Sequence, residues 1–369
     1  MHILIAPDKF KGSLTALEVG QAIARGIASV HEDYKTTIIP MADGGEGSLD
    51  ILESHLTTEV REILVKDPLG RSITSSYLMA GKTAYVEMSR ASGLQLLTPL
   101  EQNPLYTSTY GTGEMVLDAI SHGATHIYVF LGGSATNDMG IGMAEALGYE
   151  FLDRDGDRVP AVGLSLAFIV DIKKKLRYNP DDVKFCAVTD VNNPLYGKDG
   201  ATQRYVQQKG ADKYARYILE KGVKKLSRRC KKLMNKDVSK IAGAGAAGGL
   251  AGGMIAFLDA EITAGTEFMM NVTGLVDQLS SVDLVITGEG LIDQQTTRGK
   301  VAYGVAKAAH AQGIPVLAFC GESKLSAVPN EITQVYDLIT LAGSKEKSIA
   351  QSAKLLETLS AKVIADYTV

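Results

Sequence analysis

Between positions 128 and 140 an apolar run, Tyr128-Val129-Phe130-Leu131, breaks into Gly132-Gly133-Ser134-Ala135-Thr136-Asn137-Asp138-Met139-Gly140. A helical pattern (Ile141, Met143, Ala144, Leu147) follows at once. The order reads as strand, tight loop and helix start, which confines the chain to folds in which strands hand over directly to helices. Paired glycines let the backbone turn sharply and approach a ligand. Ser134, Thr136 and Asn137 are residue types that cap a helix, and the N–H groups and positive dipole end of such a helix suit an anion such as phosphate. Asp138 is the odd member, because a carboxylate in an anion site calls for a metal ion or a transferable proton. The combination points towards phosphoryl transfer, although one such loop fits an ordinary capped strand-to-helix turn equally well.

The same alternation recurs. Residues 3–6 read as a strand, 17–27 as a helix and 36–40 as a strand; near the other end, 284–287 leads through a loop to a helix over 301–312 and an apolar run over 316–319. These are βαβ units, the mark of a parallel sheet covered by helices. Residues 59–97 differ. Short alternating runs over 62–65, 75–79 and 83–88 are separated by Pro68-Leu69-Gly70 and Gly81-Lys82, as in a small antiparallel meander. With 369 residues, about two domains are expected. The predicted fold is α/β: a discontinuous Rossmann-like parallel-sheet domain over 1–66 and 282–369, with a second, inserted α/β domain over 67–281 that contains the meander.

Composition narrows the partners. A net charge of −4 argues against a dedicated nucleic-acid binder. No apolar stretch is long enough to span a membrane, and residues 1–6 read as a first strand rather than a signal peptide. Cys186, Cys230 and Cys320 lie far apart without a CxxC pair, so a reducing, cytoplasmic setting is expected. Residues 221–236 alternate basic with apolar positions at helical spacing, which is the pattern of a surface helix with a solvated basic face. Asp153-Arg154-Asp155-Gly156-Asp157 lacks the spacing of a calcium loop and reads as a hairpin turn.

Four further segments follow predicted strands, where open α/β sheets bind ligands. In Pro7-Asp8-Lys9-Phe10-Lys11-Gly12-Ser13, Lys9 or Lys11 offers a point charge for phosphate oxygens, and the plainer reading is a connector with a helix cap. In Asp43-Gly44-Gly45-Glu46-Gly47-Ser48, the glycines favour close backbone approach while Asp43 and Glu46 are hard oxygen ligands suited to Mg2+. In Val188-Thr189-Asp190-Val191-Asn192-Asn193-Pro194, Asp190 stands where a general base could reach a substrate hydroxyl, or could form a local Asx turn. In Gly288-Glu289-Gly290-Leu291-Ile292-Asp293 and the basic residues Arg298 and Lys300, acids for a metal precede cations for phosphate. Gly243-Ala244-Gly245-Ala246-Ala247-Gly248 matches GxGxxG formally but lacks the preceding strand and the ribose-binding acid; it reads as a glycine-lined helix start packed against another backbone or a ligand.

Together with Asn193-Pro194-Leu195, Gln208-Lys209-Gly210-Ala211 and the run to Gly249, these segments occur in the order of the bacterial-type glycerate kinase family, which the chain resembles over nearly its whole length. The resemblance implies ATP- and Mg2+-dependent phosphorylation of a hydroxyl of D-glycerate, giving 2- or 3-phosphoglycerate, with the active site between two domains. A non-catalytic nucleotide- or sugar-acid-sensing protein on the same scaffold is the alternative. Neither nucleic acid nor membrane is an expected partner. The assignments are Asp190 as general base, Lys9 or Lys11 neutralising transferred charge, and Asp43, Glu289 and Asp293 competing for the metal, Asp293 being also a catalytic candidate. Gly44, Gly45, Gly47, Gly132, Gly133, Ser134, Thr136, Asn137, Gly288, Gly290 and Lys300 are assigned to ATP. Two positions depart from the family pattern: Leu291, where an arginine is expected and for which Lys300 or Arg298 is the substitute, and Tyr205-Val206-Gln207, which replace a Phe-Gly-Pro-like lead.

Overall fold

The computed structural model describes residues 1–294, 296 and 299–367. Its strands in chain order are β1 (His2–Pro7), β2 (Lys35–Ile38), β3 (Glu59–Lys66), β4 (Ser72–Ala80), β5 (Thr83–Glu87), β6 (His126–Phe130), β7 (Tyr149–Leu152), β8 (Asp171–Lys174), β9 (Lys184–Val188), β10 (Glu261–Thr263), β11 (Leu284–Ile292), β12 (Val316–Ser323) and β13 (Gln334–Asp337). Two compact units result. The first takes Met1–Asp43, Asp50–His55 and the chain from Ala264 onward; the second takes Gly44–Leu49 and Leu56–Thr263. Apart from the short excursion Gly44–Leu49, the change-overs fall at 55/56 and 263/264, against expected boundaries at 66/67 and 281/282. Strand pairing accounts for the earlier one, because β3 is zipped to β4 from Glu59↔Met79 to Lys66↔Ser72.

The first unit holds a five-stranded sheet in the order β13-β12-β11-β1-β2, parallel throughout. β1 occupies an interior position, so Ile3, Leu4 and Ile5 are apolar in succession and fully buried. The helix Ala16–Ala28 starts at a capping box, in which the Thr15 side chain accepts from the Glu18 N–H and the Glu18 carboxylate accepts from the Thr15 N–H. Its buried face (Val19, Ile23, Ile27) joins Ile5, Ile286, Phe319, Leu356 and Ile364 in one core. Gly26 makes this packing possible. A Cβ there would lie 2.1 Å from Ser360 Oγ and 2.2 Å from the Glu357 carbonyl oxygen, on the helix Ser352–Ala365.

The second unit holds a six-stranded mixed sheet, β10-β9-β6-β5-β4-β3. β3, β4 and β5 form the expected antiparallel meander, while β5, β6, β9 and β10 run parallel. β7 and β8 make a separate antiparallel pair, and the segment after β7 turns back as expected: the Asp153 N–H donates to the Asp157 carbonyl at 2.9 Å, with Gly156 at φ +86°. The helix Lys213–Met234 buries Leu219, Val223, Leu226 and Cys230 and leaves its lysines outside. Among the described residues, no helix is long and apolar enough to cross a membrane.

Gly26→Ala tests the close helix approach. Alanine ordinarily gains about 1 kcal/mol over glycine in a helix, but here it drives a methyl group into a backbone carbonyl, and overpacking of that kind costs about 1–3 kcal/mol. The expected outcome is a lower melting temperature; a higher one removes the packing argument.

Candidate functional site

The first unit gathers acids because β11, β1 and β2 are parallel neighbours whose carboxyl ends emerge at one edge of the sheet. Asp8 follows β1 directly, and Asp43 lies beyond β2 on a chain held by the Met41 N–H donating to the Pro7 carbonyl at 2.9 Å. Glu289 comes from β11 itself. The strand was expected to end near 287; instead it runs through the glycine-bracketed acid, pairing Gly288 with Phe319 and Glu289 with Cys320. Gly288 permits this, since a Cβ there would meet the Phe319 carbonyl oxygen at 1.9 Å. A strand therefore fixes Glu289 more rigidly than a loop would.

The charges of these groups interact. Burial pushes the Asp8 carboxyl well above the usual carboxylate range and the Asp43 charge adds to it; Lys9 opposes and Glu289 reinforces. Burial likewise raises Glu289 to about 7, with Lys300 acting against the shift and Asp43 with it. Glu289 Oε2 lies 3.4 Å from Lys300 Nζ, whereas the buried Oε1 has no hydrogen-bond partner. At Lys300 burial works against the charge, but Glu289 and then Asp43 outweigh it, so its affinity for the proton rises. Among the described residues, no group of three or more His, Cys, Asp or Glu side chains is arranged to hold a metal by itself. Mg2+ commonly uses one or two carboxylates and completes its shell with phosphate oxygens and water, so the unpartnered Glu289 oxygen, with the Asp43 charge beside it, fits that ion.

The other candidates of this unit fall as follows. Lys9 adjoins Asp8, whose Oδ1 accepts the Lys9 N–H at 2.7 Å. Lys11 is exposed; its backbone nitrogen passes so near Gly290 that a Cβ there would lie 3.2 Å away. Asp293 forms a local turn, its Oδ1 accepting the Thr296 N–H at 3.3 Å while its own N–H donates to Thr296 Oγ1 at 3.1 Å. Arg298 lies outside the described residues.

In the second unit Gly44, Gly45 and Gly47 form a loop built against Gly132: a Cβ at Gly132 would meet Gly45 Cα at 2.3 Å. The buried Glu87, at the end of β5, accepts the N–H groups of Gly47 and Leu49 and the Ser89 hydroxyl. Gly133 turns at φ +67°.

The loop after Gly133 differs from expectation. Ser134, Thr136 and Asn137 do not cap the following helix. That helix, Ile141–Ala146, is only six residues long, and its entry is held by Asp138. Asp138 accepts from the Thr109 N–H at 2.9 Å, the Thr109 hydroxyl at 2.7 Å, and the N–H groups of Gly140 and Gly142; Met143 N–H donates to Thr109 Oγ1. The N–H groups predicted to receive phosphate are thus occupied from within, and the unexplained acid becomes the organiser of its own loop. The glycine-lined segment packs on the same backbone, as expected: Ala247, Gly248 and Gly249 all have positive φ, and a Cβ at Gly248 would lie 2.1 Å from the Thr136 carbonyl oxygen. Gly245 sits equally close to Asn193 and Pro194, its N–H donating to the Asn193 carbonyl at 3.1 Å. Asp190 stands two residues beyond β9, half-buried in this unit, whereas Lys9, Lys11 and Asp293 belong to the other.

Three residues escaped the sequence assignments. Asp8 sat inside a quoted motif, overshadowed by the lysines beside it. Lys209 lay in Gln208-Lys209-Gly210-Ala211; it is buried, with Nζ donating to Ser134 Oγ and the Thr136 carbonyl, both at 2.7 Å. Glu87 gave no signal, being a single acid at a strand end.

With an acid cluster on a parallel sheet and a knot of glycine loops on a mixed one, the molecule has the parts of a small-molecule kinase. The chain matches the glycerate kinase family over residues 3–368. It is 40% identical over 361 residues to a glycerate kinase of Halalkalibacterium halodurans, covering 96% of this chain and 95% of that protein. It is also 40% identical over 324 residues to the glycerate 2-kinase of Escherichia coli, covering 87% and 85%. A crystal structure described as glycerate kinase 2 from Salmonella typhimurium aligns with a TM-score of 0.80 at 34% identity, covering 99% of this chain and 97% of that one. The chain belongs to the glycerate kinase family.

Glu289→Gln tests the electrostatics without any ligand. Glu289 moves from 4.5 to about 7 on folding, so its raised value favours the fold below about pH 4.5 and that contribution is lost as pH rises through 7. In metal-free buffer the wild type should weaken relative to Glu289→Gln across this window, by up to a few kcal/mol. Parallel stability curves from pH 4.5 to 8 contradict the shift.

Proposed function

We propose that this kinase, which uses ATP as phosphate donor, transfers the γ-phosphate to D-glycerate, and that it does so at the 2-hydroxyl to give 2-phosphoglycerate. The observation carrying the reading is the Asp8–Asp43–Glu289 cluster beside Lys9 and Lys300, in a chain of the glycerate kinase family. The description of the Escherichia coli relative as a 2-kinase favours the 2-hydroxyl. Three free cysteines among the described residues support a cytoplasmic setting.

In this reading Asp43 and Glu289 would hold Mg2+, which would supply charge neutralisation at the phosphate oxygens. Lys9 and Lys300 neutralise the charge of the transferring group. Asp190 accepts the proton of the substrate hydroxyl as its oxygen attacks phosphorus; a phosphorus–oxygen bond forms to glycerate while the bond to the leaving ADP breaks. Gly44, Gly45, Gly47, Gly132, Gly133, Ser134, Gly288 and Gly290 provide close backbone approach to the nucleotide and the substrate acid. Asp293 keeps its part in shaping the turn that precedes Lys300, and Lys11, being exposed, ranks below Lys9.

A coupled assay for ADP release with D-glycerate tests the activity, and phosphorus NMR of the product tests the position. Glycerate-dependent ADP with a 2-phosphoglycerate signal is expected; nucleotide binding without turnover returns the sensing alternative. Asp190→Asn should lower kcat roughly 10²–10⁴-fold, the usual worth of a general base, with the melting temperature nearly unchanged. Near-normal turnover excludes Asp190 as the base.

A further inference from the structure

Lys209 is 3% exposed, on the turn that ends in Gly210 at φ +89°. Its Nζ donates to Ser134 Oγ and to the Thr136 carbonyl, each at 2.7 Å, and so ties together the two ends of Ser134-Ala135-Thr136. Among the described residues it forms no ion pair. The one charged group that bears on it is Asp138, whose carboxylate is already taken up by Thr109, Gly140 and Gly142. Two more polar atoms of the same loop, Thr136 Oγ1 and Asn137 Oδ1, are buried without a hydrogen-bond partner. Leaving a buried polar group unmatched is costly, and an isolated buried cation costs more. Two unmatched polar atoms in one loop, beside a buried cation without an ion pair, mark a place that an added group would complete, and a buried cation selects an anion.

We propose that Lys209 is a positioning residue of the kinase reaction, the charge against which an anionic group, either glycerate carboxylate or nucleotide phosphate, is seated on the loop 132–137. This inference rests on the functional reading above. Ser134 links the two, since its hydroxyl accepts from Lys209 while the residue itself is at the margin of burial, at 9%. Lysine suits the role better than arginine because it gives up its proton readily when desolvated. Burial pushes the Lys209 ammonium down to about 7, with Asp138 pulling the other way. The residue is therefore poised to gain positive charge when an anion arrives.

The test compares wild type, Lys209→Met and Lys209→Arg. It reads kcat, the KM values for ATP and D-glycerate separately, and the rise in melting temperature on adding MgADP alone or D-glycerate alone. Lys209→Met should raise KM for one of the two anions at least tenfold and abolish the melting shift given by that anion, while keeping the other; Lys209→Arg should restore most of the loss. Loss with MgADP identifies nucleotide phosphate as the seated group, and loss with D-glycerate identifies the carboxylate. Unchanged KM values with both shifts retained overturn the proposal, as does a fall in kcat alone. If Lys209→Met does not fold, calorimetry on the wild type at pH 8 decides, with D-glycerate and metal-free ADP as separate ligands so that no metal displaces a proton from Glu289. Proton uptake on binding, read from two buffers of different ionisation enthalpy, supports the proposal, and no uptake with either ligand overturns it. A wild type that releases no ADP with D-glycerate refutes the functional reading, yet its melting shifts against those of Lys209→Met still decide the role of Lys209.

Discussion

The second unit depends on backbone lying directly on backbone. Gly248 and Gly253 rest against the chain from Thr136 to Met139 so closely that any Cβ would strike a carbonyl oxygen at 2.1 Å. Three successive positive-φ residues, one of them Ala247, bend the chain into this position. A non-glycine residue there carries strain of order 1 kcal/mol or more, tolerated because the surrounding contacts leave it no alternative. The contact is secured from both sides. The Met139 N–H donates to the Gly248 carbonyl at 3.2 Å, and Asp138 gathers the N–H groups that the bend would otherwise leave bare. Without the glycines the loop 132–140 could not take the shape that Lys209 then locks.

The first unit follows the opposite logic. Close backbone approach recurs there at Gly26, Gly288, Gly290 and Gly321, but the difficulty lies in charge. Parallel strands deliver Asp8, Asp43 and Glu289 to one edge, and burial makes Asp8 and Glu289 reluctant to ionise beside the Asp43 charge. Lys300 and Lys9 offset part of that repulsion. Such unfavourable electrostatics are typical of sites whose groups must exchange protons or hold cations.

Sequence made the layout legible where local rules dominate. Alternating runs and Pro-Gly turns gave the meander, βαβ periodicity gave the parallel sheet, and glycine density marked the loops that approach other backbone. It misled where tertiary contacts override local pattern. Ser134, Thr136 and Asn137 have the residue types of helix caps, but the helix entry is held by Asp138, helped by Thr109 from 29 positions earlier. Glu289 looked like a loop residue because glycines flank it, whereas those glycines keep a strand paired with its neighbour. Lys209 stayed hidden because burial of a lysine is a property of the fold alone.

The position of β11 in its sheet has a consequence for how the molecule is made. β1 and β2 leave the ribosome early, but β1 must pair with β11, which begins about 245 residues after β2 ends. At ~5–20 residues per second that is a delay on the order of ten to fifty seconds. Through that interval the row Ile3-Leu4-Ile5 has, of its own unit, the chain up to His55 for company. The second unit is complete as a chain at Thr263, before β11 exists. Synthesis from the N-terminus therefore lets the glycine-loop unit fold first, leaving the N-terminal strand of the parallel sheet as the segment most in need of protection in a newborn chain.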